Sequence, residues 1–427
     1  MPLIPPETDL RARFRAAFTP GRFPRLGVAV SGGSDSMALL HLLAEARRLP
    51  GGPGAEALQV VTVDHGLRPE AAAEARGVAE VAAALGLPHA TLRWQGAAGP
   101  GWDGLGNLPD AARRARYGLM ADWARAAGLE AVALGHTADD QAETLLMRLA
   151  RGAGIDGLSA MAPERVSGGM LWLRPMLGLT RAALRADLQA RGVTWAEDPG
   201  NQDPRYTRVR FRRALADLAP LGLTAEGLAA VAAQLQMARA ALDDQMLALA
   251  RAAVRREHGD LWIDPAQLAA APAEIRRRLV EACLRWITRA DYGPRAPALA
   301  GFVAALLAGK AATLQGCRLV NAKGGLLLCR EAGKVPPPLP QGQLWDRRWR
   351  ILGPELPGAT VGALGNAGLA QLPDWRDTGR PRAALLADPA LWAGPALLAA
   401  PTAGFGAKWR LELVSEAQDF PQALLSH

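Results

Sequence analysis

The first half of the chain alternates short apolar runs with longer amphipathic segments. Four short apolar runs between turn residues predict buried strands at residues 26–30, 58–63, 90–94 and 131–134. The segments between them carry apolar residues at three- and four-residue spacing, which predicts helices at residues 36–46, 70–85, 110–127 and 139–150. This alternation predicts an α/β domain at residues 1–216, with a parallel sheet and helices on both of its faces.

The second half of the chain gives weaker patterns. Residues 224–256 carry apolar positions along one helical face, which predicts a single long helix. Residues 313–330 read as two strands of a hairpin, and the proline-rich residues 335–340 as a linker. We therefore expect a helical linker with a first C-terminal domain at residues 217–335, followed by a second, divergent domain at residues 336–427.

Composition narrows the class of protein. Half of the 427 residues are hydrophobic and 21% are charged, which is typical of a soluble globular protein. No apolar run approaches the roughly 20 residues that span a bilayer, and the N-terminus does not resemble a secretory signal. We therefore expect a cytoplasmic protein with no membrane partner. The three cysteines, Cys283, Cys317 and Cys329, form no C-x-x-C pair, which argues against disulfide scaffolds, zinc ribbons and iron–sulfur clusters.

The chain is basic, with a formal net charge of +8 and an isoelectric point near 10.1. Such a balance favours polyanionic partners such as nucleic acids. However, lysine occurs at only four positions, so nearly all of the positive charge comes from arginine. A compositional bias of the whole genome explains that usage equally well, and charge alone leaves nucleic-acid binding open.

The most informative motif is the segment SGGSDS between the first predicted strand and its helix. Its two glycines let backbone amides approach an anion, its serines add hydroxyl donors, and the helix start adds a positive dipole end. An ordinary glycine–serine turn is the alternative, but the strand–loop–helix setting favours a phosphate site. The residues expected to contact the nucleotide phosphates are Ser31, Gly32, Gly33, Ser34, Asp35 and Ser36.

This segment resembles the signature of the PP-loop ATP pyrophosphatases, which cleave ATP between its α- and β-phosphates. Further segments, in the same order along the chain, resemble the pattern of the tRNA(Ile)-lysidine synthetase family. They lie at residues 63–68, 107–117, 134–144, 151–161, 174–175, 195–213 and 311–331. Two positions depart from the pattern: Thr137 stands where the family has a second histidine, and Val209 stands where it has asparagine.

The resemblance implies a fold like that of the adenine nucleotide alpha hydrolases and an ATP-dependent ligase activity. Its substrates would be ATP, free L-lysine and the isoleucine tRNA with a CAU anticodon, with Mg²⁺ as a cofactor and no obligate protein partner. Lysine would replace the oxygen at carbon 2 of the wobble cytidine through an adenylated intermediate, giving lysidine, AMP and pyrophosphate. Codon reading would change from AUG to AUA, and tRNA identity from methionine to isoleucine.

The same resemblance suggests roles for individual residues. Asp35 would hold Mg²⁺, and Asp140 and Glu143, three residues apart at a helix start, would share one face and grip the lysine ammonium. Helix-dipole acids are the alternative for that pair. Arg113 would act in catalysis, and His65 and His136 would contact the nucleotide, although buried structural histidines remain an alternative. We expect five arginines to contact tRNA: Arg68, Arg116, Arg151, Arg205 and Arg208. For each of them, an ordinary surface arginine with no function is the alternative.

Three other functions fit parts of this pattern. A tRNA-thiolating PP-loop enzyme normally needs a reactive cysteine or a cluster in its catalytic domain, and the first 282 residues contain no cysteine. A glutamine-dependent amidotransferase would need a glutaminase with its cysteine nucleophile. A non-catalytic tRNA-binding protein with a vestigial ATP site predicts loss of Ser31, Asp35 or the acidic pair, and all of these are present.

Overall fold

The structure is a computed structural model that describes residues 10–19, 22–48, 57–66, 70–94, 108–197, 205, 207–322, 325–414, 421 and 424. The chain divides into two compact units, Met1–Arg239 and Ala240–His427. The three-domain division with boundaries at residues 216 and 335 stays a prediction.

The first unit is built on a six-stranded sheet. Its strands are β1 (Leu26–Ala29), β2 (Leu58–Asp64), β3 (His89–Arg93), β4 (Ala131–Leu134), β5 (Glu164–Ser167) and β6 (Met170–Leu173). Their order is β3-β2-β1-β4-β6-β5, and every neighbouring pair is parallel except β5 with β6. The four predicted strands are present, but β3 is not buried as predicted, because it lies at the edge of the sheet. Strands β5 and β6 were missed. All four residues of β5 are exposed, so that strand has no apolar run to detect.

Helices cover both faces of this sheet, as predicted. They are α1 (Leu10–Ala17), α2 (Ser34–Arg47), α3 (Ala71–Ala84), α4 (Leu108–Ala126), α5 (Ala138–Leu149), α6 (Ile155–Leu158), α7 (Arg181–Ala190), α8 (Thr207–Leu218) and α9 (Ala225–Ala253), the last with residues in both units. Successive side chains of a strand point to opposite faces. Val28 and Val60 therefore share a core with residues of α2, α3 and α7, while Val61 and Val132 share another with residues of α4.

Residues 254–330 of the second unit form a five-stranded antiparallel sheet and three helices. The sheet has the order β7-β8-β11-β10-β9. Its elements are β7 (Val254–Glu257), β8 (Asp260–Ile263), α10 (Pro265–Ala270), α11 (Ala273–Thr288), α12 (Ala296–Leu307), β9 (Ala312–Leu314), β10 (Cys317–Ala322) and β11 (Gly325–Arg330). The predicted hairpin is confirmed by the pairing of β10 with β11.

Shorter elements complete the second unit. They are β12 (Leu339–Pro340), β13 (Trp349–Leu352), β14 (Thr360–Ala363), α13 (Gly365–Ala370), α14 (Arg382–Leu385), β15 (Pro389–Ala393), β16 (Ala396–Ala399) and β17 (Arg410–Leu413). The predicted linker at residues 335–340 is wrong at its end, because Leu339 pairs with Val361 in a sheet. One hydrophobic core includes Leu261 and Trp286 together with Trp345 and Leu413, so the two predicted C-terminal domains share buried surface.

A buried ion cluster joins distant parts of the second unit. Arg380 lies between two carboxylates, with Nη2 2.6 Å from Asp260 Oδ2 and Nη1 2.7 Å from Asp388 Oδ2. Burial, and then the neighbouring Asp388, raise the pKa of Asp260 to about 7. Burial also raises the pKa of Asp388. The folded state therefore holds a proton over a pH range in which the unfolded chain, with an aspartate pKa of about 3.9, has released it.

We expect this cluster to reduce the free energy of unfolding as pH rises from about 5 to 8, by on the order of 1–3 kcal/mol. Asp260→Asn should make the free energy of unfolding less dependent on pH, because Asp388 then pairs with Arg380 without a competing carboxylate. Urea unfolding of the full chain at both pH values measures the difference. Asp346→Asn, which removes an equally buried carboxylate from its single partner Arg330, should leave the pH dependence unchanged. A full wild-type slope in Asp260→Asn would contradict the assignment.

In the described part of the chain, no single helix is long and apolar enough to cross a membrane. One pair, Thr207–Leu221 with Ala225–Ala253, meets the length and composition criteria jointly but is bent by 98°.

Candidate active site

The loop after β1 lies where the winding of the sheet reverses. Strands β2 and β3 follow on one side of β1, while β4 and β6 lie on the other. At such a switch point the loops beyond the carboxyl ends of neighbouring strands separate and leave a crevice for a ligand. The loops after β1, β2, β4 and β6 therefore supply the candidate site.

The loop at residues 31–36 is held by its own serines. Ser36 Oγ accepts a hydrogen bond from the Ser31 amide at 3.1 Å and donates one to the Gly33 carbonyl at 2.9 Å. Gly32 has φ +87°, a conformation that favours glycine, and Gly33 is the N-cap of α2. The amides at this helix start have no intrahelical acceptor and suit an anion. The predicted strand–loop–helix arrangement is therefore present.

Gly135, just after β4, packs directly against this loop. A Cβ at this position would lie 3.1 Å from Ser36 Cα and 3.2 Å from the carbonyl carbon and oxygen of Asp35. Real Cβ contacts of that length with backbone are strained, because neither chain can easily move away. Glycine at this position thus lets the loop after β4 approach the nucleotide loop.

Gly135→Ala should therefore displace the loop and lower the free energy of unfolding by about 1–3 kcal/mol. We also expect a higher KM for ATP, since the phosphate-binding amides shift. Gly77→Ala is the matched control: Gly77 lies in α3 with open space around it, so that variant should gain about 0.5–1 kcal/mol. Urea unfolding and ATP titrations measure both effects. An alanine at 135 tolerated as well as one at 77 would contradict the packing argument.

Asp35 pairs with an arginine from the start of α7. Its Oδ1 accepts a hydrogen bond from Ser34 Oγ at 3.2 Å, and its Oδ2 accepts one from Arg181 Nε at 2.9 Å. Burial raises the pKa of Asp35 above its ordinary value, while the Arg181 guanidinium opposes that shift. The carboxylate therefore faces the loop with a permanent cation beside it.

Asp140 and Glu143 lie on one turn of α5, as their spacing predicted. Asp140 forms a capping box with Thr137, whose amide donates to its Oδ2 at 2.9 Å. Glu143 is fully buried, and it accepts hydrogen bonds from Arg208 Nε at 2.8 Å and from Arg212 Nε at 2.7 Å. Both acids are therefore already bound to groups of the chain itself.

Arginines from three helix turns surround these acids. Arg181 Nη2 lies 3.6 Å from Asp140 Oδ1, and Arg208 Nη2 lies 3.5 Å from the same oxygen. Burial tends to raise the pKa of Asp140, but these arginines hold it below its ordinary value. We call this set the acid–arginine cluster; its members are Asp35, Asp139, Asp140, Glu143, Arg181, Arg208 and Arg212.

The two histidines of the site are neutral at physiological pH. Burial lowers the pKa of His136 to about 3, and nearby Arg174 and Arg208 act in the same direction. Burial and Arg116 lower the pKa of His65, whose ring meets Trp94 edge-on at 6.0 Å. Among the described residues, the Nδ1 atom of each histidine is buried without a hydrogen-bond partner. Each ring can therefore offer a neutral nitrogen to a nucleotide or a base.

Aromatic rings and guanidinium groups cluster on α4 and at the end of β6. Arg113 stacks over the Tyr117 ring at 5.1 Å, and Tyr117 packs edge-on against Trp172 at 4.7 Å. Burial lowers the pKa of Arg116 and of Arg174. Arg174 Nη1 donates to the Ala162 carbonyl at 2.8 Å, while its Nε is buried with no partner among the described residues. This edge of the site is suited to an anion or a flat base.

Most of the predicted site residues lie together at the crevice. The loop residues, Asp140, Glu143 and Arg208 share the acid–arginine cluster or contact it, and the charges of Arg113 and Arg208 act on His136. Arg151 and Arg205 are exposed, and Arg68 lies outside the described residues. No role for Arg181 was predicted. One feature of the sequence indicates its position: Thr180 caps the helix that begins at Arg181, and this helix start follows β6 at the same edge of the sheet. Because β6 was not predicted, this feature could not be used.

The donor atoms at the loop fit Mg²⁺ only in combination with phosphate. Among the described residues, no group of three His, Cys, Asp or Glu side chains could hold a metal ion alone. Mg²⁺ in nucleotide sites usually takes one or two carboxylates and the substrate phosphates. Asp35, beside the helix start, supplies such a carboxylate.

The chain is similar to several known proteins. A family model described as a PP-loop domain matches residues 6–219. A tRNA(Ile)-lysidine synthase from Ruegeria pomeroyi is 50% identical over 420 residues, which cover 98% of each chain. Another from a Bradyrhizobium species is 45% identical over 304 residues, covering 68% of this chain and 80% of that one. Among solved structures, a U34-tRNA thiolase from Methanococcus maripaludis is 14% identical with a TM-score of 0.44, covering 52% of this chain and 75% of that one.

Proposed function

Because the chain belongs to the tRNA(Ile)-lysidine synthase family, we propose that the acid–arginine cluster and the loop at residues 31–36 join lysine to the wobble cytidine of an isoleucine tRNA. The protein is an ATP-dependent ligase that modifies tRNA. The observation that carries the residue-level proposal is the meeting of Asp35, Asp140 and Glu143 around one arginine at the switch point of the sheet.

The first step makes the base oxygen a leaving group. The oxygen on carbon 2 of the cytidine attacks the α-phosphorus, a new phosphorus–oxygen bond forms, and the bond to the β-phosphate breaks. Negative charge then grows on the departing pyrophosphate. Donors already aimed at that charge lower the barrier, and the amides and hydroxyls at residues 31–36 would fill this role. Mg²⁺, held by the phosphates and Asp35, would neutralise part of the same charge.

The second step needs a free amine. The ε-amine of lysine attacks carbon 2 and AMP departs, but in water that amine has a pKa of about 10.4 and is protonated. We propose that Asp140, which keeps some exposure, binds and orients the ammonium and accepts its proton, so that the free amine attacks carbon 2 and the proton passes to water once AMP has left. Glu143, which is fully buried, would fix Arg208 and Arg212 beside it. Holding amine and activated carbon in register supplies much of the acceleration of such transfers.

The nucleobase has to leave the anticodon stack to reach this crevice. Arg113, Tyr117 and the neutral His136 provide a stacking surface and hydrogen-bonding groups at its edge. Arg116, Arg151 and Arg205 are proposed to contact tRNA phosphates, and Arg68 is proposed for the same role from the sequence alone. Such contacts would make binding weaken as salt concentration rises.

Labelled lysine tests the function directly. The purified protein is incubated with isoleucine tRNA carrying a CAU anticodon, ATP and labelled lysine, and label in the tRNA is counted. Lysine-dependent label with formation of AMP supports the proposal. ATP turnover without label, or sulfur incorporation instead, would refute it and favour a thiolating enzyme. Tight tRNA binding with no ATP turnover would favour the non-catalytic alternative.

A further inference from the structure

Arg181 connects the nucleotide loop to the acids of α5. Its Nε lies 2.9 Å from Asp35 Oδ2, while Nη2 lies 3.6 Å from Asp140 and Nη1 lies 4.0 Å from Glu143. One guanidinium thus faces three carboxylates, one from the ATP-binding loop and two from the predicted lysine site. Its strongest contact is with Asp35.

The backbone of Arg181 has contacts that are independent of its side chain. Its amide donates to Asp139 Oδ2 at 2.7 Å, and the preceding Thr180 caps α7 by accepting from the Ala183 amide at 3.3 Å. These contacts fix the start of the helix whatever side chain follows. The guanidinium can therefore change partners while the helix start stays in place.

Binding of a nucleotide would change which partners suit the guanidinium. Phosphate oxygens at the loop would compete for Arg181 with Asp35, because a guanidinium fork matches phosphate geometry and the phosphates carry more charge. In that position the guanidinium would lie farther from Asp140 and Glu143. The two acids would then retain Arg208 and Arg212 but lose one competing cation, which leaves room for the ammonium of lysine.

We propose that Arg181 is a positioning residue that makes lysine binding depend on bound nucleotide. This inference rests on the proposed function, since it assumes that Asp140 receives the lysine ammonium beside Glu143. Without nucleotide, Arg181 occupies the acids and opposes lysine; with nucleotide, it turns to the phosphates and lysine binds more tightly. By linkage, lysine must tighten nucleotide binding by the same factor.

Calorimetric titration of lysine into the full-length protein tests this, with and without saturating α,β-methylene-ATP and Mg²⁺. In the wild type, the analogue should tighten lysine binding at least about fivefold, the lower end of usual coupling between sites. In Arg181→Met that factor should fall below about twofold, and lysine should bind the nucleotide-free variant more tightly than the nucleotide-free wild type. Arg181→Lys, which keeps the charge but not the fork, should restore part of the factor.

Arg191→Met is the matched control. Arg191 ends the same helix and pairs with Asp187 and Glu45 at 2.7 Å each, away from the nucleotide loop. In Arg191→Met, the nucleotide analogue should tighten lysine binding by the same factor as in the wild type. A wild type that modifies tRNA but binds lysine equally with and without the analogue would overturn this inference alone, as would an unchanged factor in folded Arg181→Met. A protein that never transfers lysine to tRNA would instead overturn the function itself.

Discussion

Replacing Asp35 by asparagine should lower the rate of AMP formation at least about 10²-fold, because the loop loses the charge that pairs with Mg²⁺ and orders the phosphates. The side chain keeps its shape, so the loss reports the charge and not the packing. Arg181 retains Asp140 and Glu143 as partners, and we therefore expect the fold to persist. Release of AMP from α-labelled ATP in the presence of tRNA and lysine measures the rate.

Asp187→Asn is the control for this variant. Asp187 is also a largely buried carboxylate that pairs with arginines, but its partners Arg191 and Arg11 lie away from the loop. That change should reduce stability and leave the rate near the wild-type value. If Asp35→Asn keeps more than about a tenth of the wild-type rate, far above the usual effect of removing such a group, the role of Asp35 in catalysis is wrong.

Glu143→Gln should have the largest effect on stability. The carboxylate is completely buried and neutralises Arg208 and Arg212. Its loss removes the counter-charge next to Arg212 and leaves Arg208 with the longer contact to Asp140. Breaking a buried pair from one side typically costs about 3 kcal/mol or more. We therefore expect the free energy of unfolding of the first unit to fall by about that amount. Transfer of lysine should fall by about 10²-fold or more as the arginines lose their positions.

Glu45→Gln separates this effect from the general loss of an ion pair. Glu45 accepts hydrogen bonds from Arg11 and Arg191 at 2.7 Å, as Glu143 does from its own arginines, but its side chain is 37% exposed. Exposed ion pairs contribute about 0–1 kcal/mol to stability, so the free energy of unfolding of the Glu45 variant should be close to that of the wild type. Urea unfolding measures the free energy of unfolding of both variants. Equal stabilities would show that the cluster around Glu143 is not tightly coupled to the fold.

The catalytic half of the fold was accessible from the sequence because its central strands, β1 and β4, are buried on both faces. Both are continuous apolar runs, and the SGGSDS segment joins β1 to α2, with its last three residues in the first turn of the helix. Asp140 and Glu143 could be placed together because residues three apart on a helix share a face. Local pattern was sufficient for these features.

Other features depend on contacts that local pattern does not record. Strand β5 is exposed and short, so it carries no apolar signal, and without β6 the start of α7 could not be assigned to the sheet edge. The contact between Arg181 and Asp35 joins residues 146 positions apart. The three partners of Glu143 could not be foreseen, because in an arginine-rich chain each of them resembles a surface residue.

Most of the secondary structure of the C-terminal unit could not be predicted from the sequence for a different reason. Its strands from β12 onward have two to five residues each, and the irregular segments between them carry tryptophans such as Trp345 that belong to the core. A periodicity argument needs longer segments than these. The long helix α9, which enters this unit, and the hairpin of β10 and β11, with six residues in each strand, were long enough to predict.

A crystal structure of the protein with α,β-methylene-ATP and Mg²⁺ is the most direct test of the central claim. The β- and γ-phosphates should lie against the amides of residues 31–36, with Asp35 facing the metal and the α-phosphate open towards Asp140. Phosphates bound elsewhere, with the loop unoccupied or blocked, would contradict the account of the site.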